Sequence, residues 1–132
     1  MLNRLFKRTE TKPTDGLLQA EREAIIDLLH YAMYTDKRLS EAEDLFVDKY
    51  VENLAWESGT TPDIYVNQSL NKVRNELRTD EARDEYLAGL STRFQSAHAR
   101  AKALNLLQSL MQADGTTDAE NSLLTAAKRV LR

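Results

Sequence analysis

Apolar side chains recur along this chain at helical spacing, and polar residues able to cap helices stand between the runs. Ile25, Leu28, Leu29, Ala32 and Met33 fall at i, i+3, i+4, i+7 and i+8, one face of a helix predicted from about Asp15 to Tyr34. Ser40 and Glu43 form a capping box that opens a second helix, with Phe46, Val47, Tyr50, Val51 and Leu54 inward and Gly59 as its stop. Thr61-Pro62 then supplies an N-cap and a proline at the first helical position, where the missing N–H is harmless. Val66, Leu70, Val73 and Leu77 make the stripe of that third helix. Thr79, Asp80 and Glu81 favour a fresh start, leading into Tyr86, Leu87, Leu90 and Phe94. From Leu90 to Ala103 there is neither proline nor glycine, so the pattern allows this helix to end near Gln95 or to run on. Ser96 is the candidate cap of a fifth helix carrying Leu104, Leu107, Leu110 and Met111. Thr117 caps a sixth, with Glu120 completing its box and Leu123, Leu124, Ala127 and Leu131 inward. Alternating β-branched runs and Asn-Gly hairpins are missing from the sequence. The prediction is an all-α, compact single-domain bundle of about six to seven helices.

One stretch of this pattern occurs twice. IIDLLHYAMYTDKRLSEAEDLF (25–46) and ALNLLQSLMQADGTTDAENSLL (103–124) stand 78 positions apart. Each is an apolar helix, an aspartate at its end (Asp36, Asp114), a short turn and a capped second helix. Self-similarity at a fixed distance means one supersecondary unit used twice. Two copies are too few for a solenoid, so an internal two-fold helix-hairpin repeat is expected, with units near residues 15–58 and 96–132. Residues 1–14 read as a basic segment and linker, polar over TETKPTD with Pro13 as a helix stop, and residues 15–132 as the domain.

Charge sharpens this division. The 132 residues carry a net charge of −3, unevenly spread: residues 1–12 hold +3, residues 13–67 hold −8 and residues 68–132 hold +2. An acidic first repeat points to cations or basic partners and away from nucleic acid. The absence of cysteine rules out disulfides, thiolate metal sites and cysteine nucleophiles, and suits a reducing, cytoplasmic setting. The sequence contains no apolar run near the ~20 residues that span a bilayer. MLNRLFKR lacks the apolar centre of a secretory signal. Leu2, Leu5 and Phe6 there predict a short amphipathic turn able to touch a membrane from its periphery or to dock on the domain.

Catalytic motifs are scarce. His30 and His98 have no ligand spacing, His30 reading as a packed flank of the first stripe, and the four glycines are scattered. The expectation is a protein that is not an enzyme. The acidic bends are more informative, because a carboxylate at a helix C-terminus opposes the helix dipole by ~0.3–1 kcal/mol. Asp36 with Glu43, and Asp114 with Asp118 or Glu120, form two candidate oxygen-ligand sets. Such sets select a hard divalent cation, Ca²⁺, Mg²⁺ or Mn²⁺. The same aspartates also suit plain turn chemistry, each accepting N–H groups of the next helix. Neither bend has the ligand alternation of an EF-hand or enough oxygens to close a Ca²⁺ shell.

LLQSLMQADGTTDAE, and more weakly LLHYAMYTDKRLSEAE, resemble the signature of the tellurite-resistance TerB-like family: an apolar helix ending in A-D-G, a hydrophobic position, a Ser or Asp cap, and a glutamate in the next helix. Asp114 and Gly115 match A-D-G directly, and Asp36 matches it without the glycine, since Lys37 follows. Ser40 and Glu43 match the cap and glutamate, as Asp118 matches the second cap; Thr117 replaces the hydrophobic residue, and Asn121 the second glutamate, with Glu120 one position early. The resemblance covers about residues 15–132 and implies a bacterial, stress-associated helical module without catalysis, binding divalent metal through its acidic bends. The expectation from a different class is a protein-interaction module. Its acidic first repeat, with Glu41, Asp44 and Asp48 outward, would recruit a basic or membrane-associated partner.

Overall fold

The computed structural model describes residues 17–35, 41–52, 56, 61–76, 79–113 and 118–131. They form six α-helices and, among the described residues, no strand: α1 (Gln19–Thr35), α2 (Glu41–Glu52), α3 (Pro62–Glu76), α4 (Asp80–Ser91), α5 (Ala97–Gln112) and α6 (Asp118–Leu131).

α1 is the axis of the bundle. Every residue from Ala24 to Met33 is buried, and α1 packs against each of the other five helices. The stripe Ile25, Leu28, Leu29, Ala32 and Met33 accounts for one side of it. Ala24, Ile26 and Tyr31 close the rest of the circumference, as a helix enclosed on all sides requires. α1 and α2 form one hairpin and α5 and α6 another, and the first helices of the two hairpins pack on each other. Contacts join α1 with α2, α5 with α6, α1 with α6, α2 with α5, and α1 with α5. Exchanging the two hairpins leaves that set of pairings unchanged, in keeping with the duplicated sequence. α3 and α4 complete the shell, joined to each other and to α1.

Register on α1 sets the direction of α3. Asp27 meets Tyr65 and Ser69, His30 meets Ser69, and Tyr34 accepts from Arg74. Residue numbers rise together on both helices, so α1 and α3 run parallel and begin at the same end of the bundle.

The ends of the helices are fixed by side chains the sequence exposes only in part. α1 begins at Gln19, later than the Asp15 start suggested by composition, because the buried Glu21 captures the Leu18 N–H at 2.9 Å. The other oxygen of Glu21 accepts the Gln95 N–H at 2.6 Å and ties the α4–α5 connection to the start of α1. That connection answers the question left by residues 90–103. α4 ends at Ser91, where the Ser91 and Thr92 hydroxyls turn back onto the carbonyls of Ala88 and Gly89, and Phe94 inserts into the core. Ser96 then caps α5 by accepting the Ala99 N–H at 3.1 Å, as Thr79 caps α4 through Ala82.

The core gives a direct test. Leu29→Ala should lower the unfolding free energy by about 2–5 kcal/mol. Leu45→Ala, at a side chain 58% exposed, should change it by less than about 0.5 kcal/mol. Urea denaturation of both variants measures the contrast.

Candidate functional site

The most polar feature of the interior sits in the middle of α1. Asp27 is fully buried and accepts three hydrogen bonds: from Ser69 Oγ at 2.5 Å, from Tyr65 OH at 2.7 Å and from Arg93 Nη1 at 2.6 Å. Arg93 also reaches Tyr65 OH through Nη2 at 3.3 Å. Ser69 stands 2.8 Å from His30 Nδ1. Its hydroxyl proton is committed to Asp27, so His30 carries its proton on Nδ1 and donates to Ser69. The order is carboxylate, hydroxyl, imidazole. Nucleophile activation needs the imidazole between the other two, taking the hydroxyl proton. This arrangement therefore joins helices and does not prime a serine.

Burial and charge tune the groups around Asp27. Burial lowers His30 from its ordinary value to about 4, against the partial opposition of Asp27. The imidazole is thus neutral at pH 7. Burial, and then the hydrogen bond to Asp27, push the Tyr65 phenol above its usual range, and Arg93 only partly offsets this. For Arg93, burial pulls downward, yet its hydrogen bonds to Asp27 and Tyr65 leave it above its ordinary value.

Tyr65 links this network to the surface. Its ring lies 5.9 Å from that of Trp56, centroid to centroid, at 47°. Trp56 stands in a groove of about 560 Å³, with Val51, Pro62 and Val66 as apolar lining and Asp48, Glu52 and Asp63 as carboxylates. Asp48 and Glu52 are one turn apart on α2, and Asp63 is in the first turn of α3, so all three follow from helix register. Leu45 lies on the same stripe of α2 and is exposed. The Trp56 Nε1–H is buried and meets no acceptor among the described residues. A second groove, of about 330 Å³, lies between α3 and α4 beside Arg93. Its cations are engaged, Arg93 with Asp27 and Lys72 over the Tyr86 ring at 5.8 Å.

The residues expected at the acidic bends fare differently. Asp36 and Asp114 lie outside the described residues, as do Ser40 and Thr117. Asp118 and Glu120 fall in the first turn of α6, their side chains likewise outside the description. Glu43 is buried in the first turn of α2. Among the described residues, no group of three or more His, Cys, Asp or Glu side chains gathers as a metal set. His30 is packed as its position on α1 suggests, whereas His98 is exposed on α5. Sequence reasoning passed over Asp27, Tyr65, Ser69, Arg93 and the Trp56 groove. A signal for Asp27 was present: a carboxylate between Ile26 and Leu28, inside the largely apolar run 24–33.

His30 makes stability depend on pH with a definite sign. The unfolded chain takes up its proton near 6.5, the folded protein not until about 4. Between those values the unfolded state binds more protons, so stability falls as pH falls, by about 3 kcal/mol across the window. Comparing urea midpoints of the wild type and His30→Asn from pH 7 to pH 4 should show the variant with the flatter profile.

Compared with protein-family models, curated proteins and solved structures, the chain has no significant match in any of the three.

Proposed function

We propose that this protein is a non-enzymatic docking domain whose acidic first repeat recruits a basic partner through the Trp56 groove. The observation that supports this is the convergence of Asp48, Glu52 and Asp63 on one apolar trough. Carboxylates around an apolar floor suit a segment that combines Lys or Arg with an aliphatic or aromatic side chain. Glu41, Asp44 and Asp48 are exposed along α2 and extend the same negative field, which favours encounter with a cationic partner. Among the described residues no helix is long and apolar enough to cross a membrane. A membrane-associated partner would therefore be met from the surface side.

The divalent-cation reading, and the stress role implied by the resemblance to the TerB-like family, rest on Asp36, Glu43, Asp114, Asp118 and Glu120. Glu43 is the member whose side chain is described, and it is buried. That is why docking leads. A TerB-like, bacterial stress setting in the cytoplasm is compatible with such a domain and is carried by the resemblance alone.

Trp56 is the sole tryptophan and reports on its own groove. A short amphipathic Lys/Leu peptide should change its emission saturably, with affinity falling as salt rises. D48K/E52K should weaken binding at least tenfold, about 1.4 kcal/mol. Emission insensitive to millimolar peptide, or equal affinity in D48K/E52K, would reject the reading.

A further inference from the structure

We infer that the groove around Trp56 is the docking site of the chain's own residues 1–12, which compete there with an outside partner. The inference rests on the docking reading above and names an occupant for the same site. Three properties lead to it. The first is charge. Residues 1–12 hold Arg4, Lys7, Arg8 and Lys12 against Glu10, and the groove presents Asp48, Glu52 and Asp63. The second is apolar content. Leu2, Leu5 and Phe6 supply side chains for the trough of Val51, Trp56, Pro62 and Val66.

The third property is reach. Because α1 and α3 run parallel, Pro62 and Asp63 stand at the end of the bundle where α1 begins. From the pairing of Asp27 with Tyr65, Pro62 lies at the level of Ala24, five residues into α1 from Gln19. That is roughly 7–8 Å along the axis, with neighbouring helices about 8–10 Å apart. Residues 13–16 alone span up to about 14 Å when extended. Arg8, Lys7 and Arg4 therefore come within range of all three carboxylates without any shift in the bundle. A tether this short holds the segment at millimolar effective concentration, enough for weak contacts to occupy the groove. The consequence is competition for one site. A partner must be more basic, or a better apolar fit, than residues 1–12 to displace them.

The experiment uses the full chain and R4E/K7E/R8E, with the Trp56 indole N–H resonance and binding of the Lys/Leu peptide as readouts. The proposal expects the indole resonance to move in the variant, independently of protein concentration. It also expects the variant to bind the peptide at least about threefold tighter than the wild type, because competition by a tethered segment has been removed. An unmoved resonance with equal peptide affinity in both chains overturns the proposal and leaves the docking reading standing. A shift that grows with protein concentration overturns it as well, since the occupant would then be the segment of a second copy. If anionic vesicles move the wild-type resonance to the variant's position, the segment does leave the groove, and competition is supported. If the peptide binds neither chain, the groove is no docking site, and both readings fall.

Discussion

A carboxylate buried at the centre of the central helix is the constraint around which this structure is arranged. α1 has no solvent-facing side between Ala24 and Met33, so Asp27 must find its partners inside the protein. An uncompensated charge in that position would cost several kcal/mol. It finds Ser69 and Tyr65 on α3 and Arg93 just beyond the end of α4. Burying an ion pair yields little net stability, because desolvation offsets attraction. What these bonds do set is register: a slip of α3 by one residue would remove both hydroxyl donors at once. The Glu21 contact to Gln95 does the same for the turn into α5.

The fold was legible in the sequence to the extent that it depends on local pattern. Periodicity picks out the stripes of α1, α5 and α6, and the caps at Thr79 and Ser96 are visible as residue types because capping is a local bond. The start of α1 was harder to place. It depends on Glu21 holding both its own helix and a backbone group 74 residues away. Periodicity also undercounted α1 itself. It detects a difference between two faces, and a helix buried all round has none to show.

The site was less legible for a related reason. The groove assembles Asp48 and Glu52 from one helix, Trp56 from the connection and Asp63 from the next helix. Spacing in the sequence does not join them, and only the packing of the helices makes them neighbours. Charge counting detected the acid excess of residues 13–67 and pointed to Glu41, Asp44 and Asp48 as well as to the bends, but gave no reason to join Asp48 to Trp56 or Asp63. Asp36 and Asp114 are conspicuous because they recur. Asp48 does not recur: 78 positions on, the sequence has Ala126.

The two polar centres divide the work between them. At the groove, exposed carboxylates act through long-range fields and are screened by salt within about 10 Å. At Asp27 the bonds are short, enclosed and largely indifferent to salt. Tyr65 touches both, its hydroxyl on Asp27 and its ring against Trp56. The buried network thus fixes the Tyr65 ring that packs against Trp56, while Asp48, Glu52 and Asp63 set the charge of the rim. A loss of Asp27 would loosen this aromatic wall without changing the charge at the rim, and a change at Asp48 or Glu52 would alter that charge without touching the bonds to Asp27. The charge of this groove and the packing of its aromatic wall are therefore separable, because a different part of the molecule governs each.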